Sequence, residues 1–240
     1  MSWLGASGEA LERALGLPRV LAVQSVGSTM DEAHQLAAAG APSGSLVIAE
    51  EQTAGRGRGG KSWTSVPGAG IWTTIIERPR DAAAIDVLSL RVGLRLAPVL
   101  ERWTTAPVRL KWPNDLFVGP HKLAGVLIEA RWRGGRVDWV AIGIGVNLRA
   151  TFAEAAALEG ADPQVVLAEV IPAVRAAAFA SGALTDSELA DFTSRDLASG
   201  RLVSHPAEGT ARGISRTGEL LVETTSGITP CRAGSLVLVH

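Results

Sequence analysis

A glycine-rich, basic stretch directly after an apolar run constrains this chain more than any other part of it. Residues 51–63 contain four glycines and three cations, and the preceding run Leu46–Ala49 has the character of a buried strand. Glycines let backbone N–H groups approach a ligand closely, and arginines supply forked hydrogen-bond donors. We therefore predict a loop at a strand end that binds an anion, in particular a phosphate.

This loop matches two phosphate-binding patterns, and we reject both. The spacing of Gly55, Gly60 and Lys61 matches the P-loop, and the glycines at 55, 57 and 60 match the dinucleotide fingerprint. Both mechanisms need a helix that begins at the loop, whereas residues 67–70 contain a proline and two glycines. An RNA-binding interpretation of the short Arg-Gly run is weak because the net charge is −1. A mobile polar loop without a ligand remains an alternative.

Composition limits the class of protein. A chain of 240 residues, 47% of them hydrophobic, can form one large domain and a small one. The single cysteine, Cys231, excludes an internal disulfide and a four-cysteine zinc site, and the four histidines lack ligand spacing. We expect neither a signal peptide nor a membrane span, and therefore a cytoplasmic protein.

Periodicity and turn residues predict an alternation of helices and strands. Helices are expected over residues 7–15, 29–39, 81–102 with a bend near Pro98, 164–180 with a break near Pro172, and 186–194. Strands are expected over residues 20–26, 45–50, 70–77, 108–111, 121–129 and 137–144. Beyond about Gly200, four short strands separated by glycine turns predict a small all-β barrel, with the boundary near residues 195–201.

Several polar residues stand at predicted strand or helix ends and have two interpretations each. Ser28 and Thr29 could act as helix caps or bind a ligand. Lys111 and Lys122 lie near the facing ends of a predicted hairpin, or are simply solvated lysines. Asp115 could bind a ligand or could simply form the turn. The same two interpretations apply to Asn147, which follows two glycines at the end of a strand.

Five motifs in this order give a resemblance. They are Gly-Ser-Thr (27–29), Gln-Thr-Ala-Gly-Arg-Gly-Arg through Trp (52–63), Lys-Trp-Pro-Asn-Asp (111–115), Lys-Leu-Ala-Gly (122–125) and Gly-Ile-Gly-Val-Asn (143–147). Over almost the whole chain the sequence resembles bacterial biotin–protein ligases of the monofunctional type, without the N-terminal DNA-binding domain. The resemblance implies an α+β fold of the class II synthetase-like, lipoate–biotin ligase kind. It comprises a catalytic domain over 1–197, a mixed β-sheet backed by helices, and a C-terminal SH3-like β-barrel over 198–240.

The resemblance also implies a two-step reaction. Biotin and ATP give biotinyl-5′-AMP and pyrophosphate with the help of Mg²⁺, and the biotinyl group then passes to a lysine of a biotin carboxyl carrier domain. That carrier belongs to an acyl-CoA carboxylase, in particular acetyl-CoA carboxylase. We expect a monomer or homodimer that binds neither DNA nor a membrane and has no repressor activity. The alternatives are a lipoate or octanoate ligase or transferase, a nucleotide- or DNA-binding regulator without catalysis, and a paralogue that binds biotinyl-AMP without transferring it.

The same resemblance implies the site residues. The catalytic set is Lys122, Arg58, Lys111 and Asp115. The biotin-binding set is Ser28, Thr29, Met30, Gln52, Gly55, Arg56, Gly57, Arg58, Lys122 and Gly125. The ATP-binding set is Arg58, Trp63, Lys111, Asn114, Asp115, Gly145 and Asn147, and Asp115 is the candidate ligand for Mg²⁺. Three residues depart from the family pattern, which often has asparagine at Met30, arginine at Lys61 and aspartate at Ser235. The glycine loop is expected to be mobile when empty and ordered around the adenylate.

Overall fold

A seven-stranded mixed sheet forms the centre of the computed structural model, which describes residues 2–79 and 81–239. The strands are β1 (Ser2–Trp3), β2 (Ala6–Ser7), β3 (Val20–Val26), β4 (Ser45–Gln52), β5 (Gly70–Glu77), β6 (Val108–Lys111), β7 (Asp115–Val118), β8 (His121–Arg133), β9 (Arg136–Asn147), β10 (Leu202–His205), β11 (Gly209–Ile214), β12 (Leu220–Thr224), β13 (Gly227–Cys231) and β14 (Val237–Leu238). The helices are α1 (Gly8–Leu15), α2 (Thr29–Ala38), α3 (Leu88–Leu100), α4 (Pro163–Ala178) and α5 (Asp186–Arg195). The central sheet has the order β3-β4-β5-β9-β8-β7-β6, in which β3 and β4 are parallel and the other neighbours antiparallel.

Helices cover both faces of this sheet. On one face, Met30, Ala33 and Ala37 of α2 pack with Trp139 and Ala141 of β9. The larger core on the other face joins the sheet to α1, α3 and α4. Because β5 is covered on both faces, all eight of its residues are buried, and the alternation expected for a half-solvated strand does not apply.

Local sequence determines most helix ends. Ser7, Ser28 and Asp162 cap α1, α2 and α4 with their side chains, and Thr185 forms a capping box with Glu188 at α5. Those predicted starts are confirmed within one residue.

Two helix predictions were wrong. The helix expected over 81–102 begins only at Leu88, because Asp81 caps a separate 3-10 turn at Ala82–Ile85. The break expected near Pro172 does not occur, and α4 runs without interruption through that residue. Its neighbours Ile171 and Val174 are buried in the core, so tertiary packing outweighs the lost backbone hydrogen bond.

A second, five-stranded antiparallel sheet is formed by residues 202–238, in the order β13-β12-β11-β10-β14. Sequence reasoning missed β13 because it contains Pro230, but β13 is an edge strand, where proline is tolerated. Among the described residues, β13 and β14 each pair with one neighbour, so the predicted closed barrel is not seen. The division at residue 197 stays a prediction.

The two sheets are tied together near the predicted motifs. The indole of Trp112 donates to the carbonyl of Gly218 at 2.9 Å, and the N–H of Leu197 donates to the carbonyl of Leu110. None of the described helices is long and apolar enough to span a bilayer.

We expect Asp196 to destabilise the chain at pH values where its carboxyl must ionise. This carboxyl is 1% exposed, with one oxygen accepting from the N–H of Ala198 and the other unpartnered among the described residues. Burial raises its pKa above the ordinary 3.8, although the Ala198 bond and the charge of Arg109 act against this. The folded state thus binds the proton more tightly than the unfolded state, and stability falls as pH rises through the folded pKa.

The measurement is the free energy of unfolding of Asp196→Asn and the parent between acid and neutral pH. The variant should be more stable than the parent at neutral pH, and the difference should shrink as pH falls. Asp191→Asn, a change at an exposed carboxylate, serves as the control. A constant difference at all pH values would contradict the expectation.

Candidate active site

An open cavity lies between the start of α2, the glycine loop and the strands β5, β8 and β9, and its empty space, including the solvent at its mouth, is about 480 Å³. Predicted residues converge there from distant parts of the chain. Those that line the cavity are Ser28, Thr29, Met30, Gln52, Arg56, Gly57, Arg58, Trp63, Asn114, Lys122, Gly125 and Gly145. The sheet therefore brings together most of the set that the motifs predicted.

One wall of the cavity is a directed hydrogen-bond network. The backbone N–H of Thr29 can only donate, so the Gln52 atom that faces it at 2.9 Å is the carbonyl oxygen. The amide nitrogen of Gln52 then donates to Ser65, at 2.9 Å. The Thr29 hydroxyl lies 3.0 Å from the same Gln52 oxygen and must donate to it, which leaves it to accept from Thr74 at 2.9 Å. Thr29 thus presents only acceptor capacity to a ligand.

Ser28 complements this wall. Its hydroxyl oxygen accepts from the N–H of Met30, and Ser28 is 2% exposed. The hydroxyl proton has no acceptor among the described side chains and backbone groups, so Ser28 can donate to a ligand in the cavity. The capping and ligand-binding interpretations of Ser28 are therefore compatible.

Glycines form the floor of the cavity. A Cβ on Gly145 would lie 2.4 Å from the ring of Trp63, and one on Gly125 would lie 2.8 Å from it. A Cβ on Gly143 would lie 2.7 Å from the terminal methyl of Met30. The missing side chains create the space that these large residues fill, as the sequence suggested for glycines inside a strand.

Cations gather at one end of the cavity. The ammonium of Lys122 lies 2.7 Å from Asp115 and 4.8 Å from the centre of the Trp63 ring. Burial lowers the pKa of Lys111 from its ordinary 10.5, and repulsion by nearby Lys122 and Lys61 acts in the same direction, while Asp115 raises it. Lys61, Lys111 and Lys122 are the three lysines of the chain, so every side-chain amine belongs to this region.

The glycine loop is folded back on itself and attached to the small sheet. The N–H of Trp63 donates to Gly55, whose own Cβ, if present, would lie 2.4 Å from the Trp63 carbonyl oxygen. Arg58 donates to the carbonyl of Gly234 at 2.6 Å. In the described part of the chain no α-helix follows the loop before α3, which supports rejection of the two phosphate-binding patterns.

Two departures from the family pattern face each other. The ammonium of Lys61 lies 3.5 Å from the hydroxyl of Ser235. Lys61 therefore faces a neutral hydroxyl here and not a carboxylate. The third departure, Met30, is 2% exposed and lines the cavity with an apolar surface.

Some predicted residues lie beside the cavity and not on its wall. Lys111 and Asp115 line a smaller adjoining cavity together with Asn114. Asn147 is 6% exposed, and its amide donates at 3.1 Å to the carbonyls of Lys122 and Ala156. This bonding positions the backbone that carries Lys122 and leaves the Asn147 amide nitrogen occupied.

Sequence reasoning missed several wall residues. Thr73 and Thr74 of β5 line the cavity, as do Val126, Leu127 and Ile144. The available signal was a pair of hydroxyl residues inside an otherwise apolar strand, which we interpreted only as β-branched strand formers.

The described residues contain no group of three or more His, Cys, Asp or Glu side chains that could hold a metal ion. Asp115 is a single carboxylate and is already paired with Lys122. These residues therefore form no prepared Mg²⁺ site, and we assign no step to a metal.

The fold and the site define an α+β protein with a cavity, of a size suited to a small molecule, beside a cluster of cations. A family model described as Biotin/lipoate A/B protein ligase family matches residues 21–147. The chain belongs to this family, and the predicted resemblance is confirmed.

The individual relatives include proteins named as biotin ligases. The chain is 32% identical to the bifunctional ligase/repressor BirA of Escherichia coli, over 82% of this chain and 67% of that protein. It is 40% identical to the biotin–[acetyl-CoA-carboxylase] ligase of Paracoccus denitrificans, over 58% of each chain. A structure of biotin protein ligase from Aquifex aeolicus in complex with biotin and ATP superposes with a TM-score of 0.75, at 26% identity, covering 92% of this chain and 98% of that one. The chain thus matches about two thirds or less of the length of these curated relatives.

Substitution of Gly145 by alanine should cost more than substitution of Gly143. The new methyl at 145 meets the rigid Trp63 ring, whereas the one at 143 meets the flexible end of Met30. We expect Gly145→Ala to lower the free energy of unfolding by about 1–3 kcal/mol, with a smaller loss for Gly143→Ala. Denaturant unfolding followed by tryptophan fluorescence measures both, and equal losses would contradict this account of the floor.

Binding of a triphosphate should make Lys111 take up protons. Burial and neighbouring cations lower the pKa of this lysine, and an added polyanion raises it again, so the bound state holds more protons at alkaline pH below 10.5. Calorimetric titration with ATP in buffers of different ionisation enthalpy measures the uptake. Lys111→Gln should abolish that part of it, and an unchanged proton uptake in the variant would disprove the assignment.

Proposed function

We propose that this protein is an ATP-dependent biotin–protein ligase, which activates biotin to biotinyl-5′-AMP and transfers it to a lysine of a carrier protein. The observation that carries the proposal is one cavity that joins a directed polar wall, a glycine floor and a cationic end. Names of relatives in the same family support the choice of biotin and ATP as substrates.

The polar wall suits the ureido ring of biotin. A ureido group has N–H donors on both sides of one carbonyl acceptor. Thr29 offers acceptor capacity and Ser28 a free hydroxyl proton, so the two neighbours present complementary polarity. Burial of the ring against Met30 and Leu127 excludes water, and the hydrogen bonds then offset the cost of desolvating the ureido group.

The cationic end suits the chemical step. A carboxylate oxygen of biotin attacks the α-phosphorus of ATP, the bond from that phosphorus to the bridging oxygen breaks, and pyrophosphate leaves. Two anions must approach each other, so a fixed cation between them lowers the barrier. Lys122 is suited to this because Asp115 and the Trp63 ring hold its ammonium, with Lys111 close enough to receive the other phosphates.

Transfer of the biotinyl group to the carrier lysine requires fewer protein groups than the first step. The carrier amine attacks the carbonyl carbon of the mixed anhydride, an amide forms and AMP leaves. Arg56, Gly57 and Arg58 lie over the cavity mouth and are positioned to shield the anhydride from water until the carrier arrives. The hypothesis that ligand binding orders this loop belongs to the proposal.

Further parts of the proposal are more specific than the fold and the family membership. They are an SH3-like character for the sheet over 202–238, domain limits at 1–197 and 198–240, Mg²⁺ brought by the triphosphate, and a cytoplasmic location. The carrier is proposed to be the biotin carboxyl carrier domain of an acetyl-CoA carboxylase, because relatives carry that enzyme's name. The monomer or homodimer state and the lack of DNA binding stay predictions.

The test is incubation of the purified chain with biotin, Mg-ATP and a biotin carrier domain, followed by intact-mass measurement of the carrier. We expect a gain of one biotinyl group that depends on ATP, with release of pyrophosphate. Lipoate in place of biotin should give no gain. Carrier labelled with lipoate and not with biotin, or pyrophosphate released without biotin, would overturn the proposal.

Lys122→Met should retain the fold and lose most of the first step. The removal of one preorganised charge typically costs about 2.7–4 kcal/mol in the barrier, which corresponds to roughly a hundredfold or more in rate. Arg102→Met, which removes an exposed cation paired with Glu169, is the control and should match the parent. Pyrophosphate release in single-turnover experiments measures the rate, and a rate close to that of the parent for Lys122→Met would remove this lysine from the step.

A further inference from the structure

Arg56 at the cavity mouth is held from outside the cavity. Its terminal nitrogen Nη2 lies 2.7 Å from Asp31 and 3.4 Å from Glu129. For its Nε and Nη1 atoms no acceptor is present among residues 2–79 and 81–239, so the free side of the guanidinium keeps its donors for a ligand.

Glu129 is itself held by a chain of oriented groups. The same oxygen that faces Arg56 lies 2.9 Å from Nε2 of His34. On the other side of the ring, Nδ1 of His34 lies 2.9 Å from the indole nitrogen of Trp139. An indole N–H can only donate, so Nδ1 accepts, the imidazole proton resides on Nε2, and Nε2 donates to Glu129.

We propose that Glu129 is a positioning residue for Arg56 and that His34, fixed by Trp139, is a positioning residue for Glu129. We call these four residues the relay. The inference rests on the proposed function, in which Arg56 belongs to the biotin-binding set, and it assigns the free edge of the Arg56 guanidinium to the carboxylate tail of biotin. The relay presents one edge of the guanidinium to the cavity before the substrate arrives.

Asp31 contributes less to this positioning than its distance suggests. Its side chain is 54% exposed, whereas those of Glu129 and His34 are 33% and 26% exposed. Solvent and salt weaken an ion pair at an exposed carboxylate, and within the described chain Asp31 has no second side-chain partner that fixes its direction. Glu129 is oriented by His34, which is in turn held by the buried Trp139, and Glu129 therefore determines the direction of the Arg56 guanidinium.

The consequence is a defined kinetic effect. The carboxylate of biotin loses negative charge as its oxygen bonds to phosphorus, so Arg56 stabilises bound biotin at least as strongly as the transition state. Loss of the Arg56 orientation therefore weakens biotin binding without slowing the chemical step. Glu129→Gln should therefore raise the KM for biotin by about fivefold, the scale of one partly exposed ion pair, with kcat unchanged. A merely structural role would lower kcat, or the amount of active protein, together with the affinity.

The first experiment measures KM for biotin and kcat for carrier labelling with the full chain. Glu169→Gln removes the acid of an ion pair on another part of the surface and is the matched control, expected to equal the parent. The effect of Glu129→Gln on KM must be measured in two backgrounds, the parent chain and the Arg56→Ala variant. If Glu129 acts through Arg56, it has no effect on KM in that background. An equal effect in both backgrounds, or a fall in kcat at unchanged KM, would overturn the proposal.

The second experiment needs no substrate. Nitrogen NMR of the His34 side chain should show Nε2 protonated and Nδ1 acting as an acceptor, and Trp139→Phe should change the Nδ1 signal. A ring protonated on Nδ1 would overturn the relay. If the parent fails to label the carrier but shows the expected ring, the proposed function fails and the relay stands, so the two failures are distinguishable.

Discussion

The floor of the cavity depends on two glycines of strand β9, which leave room for large side chains from other elements to pack against it. Gly143 and Gly145 lie in β9, the central strand of the sheet, beside the buried residues Ile142, Ile144 and Val146. Their missing Cβ atoms admit Met30 from α2 and Trp63 from the glycine loop. Protein interiors are packed to crystal-like density, so a cavity at a sheet centre requires such a local removal of volume. The floor, the loop and the first helix at the cavity all depend on this one constraint.

Rigid backbone geometry then orders the polar groups around the space. The N–H of Thr29 at the start of α2 determines the orientation of the Gln52 amide, and through it the direction of the hydroxyls of Thr29 and Thr74. A helix start beside a strand end thus becomes a recognition surface with fixed polarity. The cationic end is built differently, because Lys122 takes its place from the carboxylate of Asp115 and from an aromatic face. Under the proposed function, shape at one end and charge at the other let biotin and ATP share one site.

Features that depend on neighbouring residues in the chain could be predicted from sequence. The cap Ser28 and the starts predicted for α4 and α5 depend on residues within one turn, and each was found within one residue of its expected place. The cavity floor was foreseeable because glycines inside an apolar strand usually mark a bulge or the close approach of another group.

Features that depend on tertiary packing could not be predicted. Pro172 sits inside a helix because its neighbours are buried, and Pro230 sits in a strand because that strand is at an edge. His34 belongs to none of the sequence motifs, and its two partners lie in β8 and β9, far from it along the sequence. Its role follows only when the fold brings together residues separated by 95 and 105 positions in the sequence.

The distribution of lysine has a chemical consequence. The chain carries 23 lysines and arginines, and the three lysines all belong to the cationic end of the cavity or its loop. Arginine is not acylated under conditions that acylate amines, because its guanidinium stays protonated. Acylation of side-chain amines, whether by a reagent or by an activated acyl group that leaves the cavity, is therefore limited to Lys61, Lys111 and Lys122. Lys122 lines the cavity, whereas Lys111 lies beside it and Lys61 is exposed, so a mass gain on Lys122 in particular reports on access to the cavity.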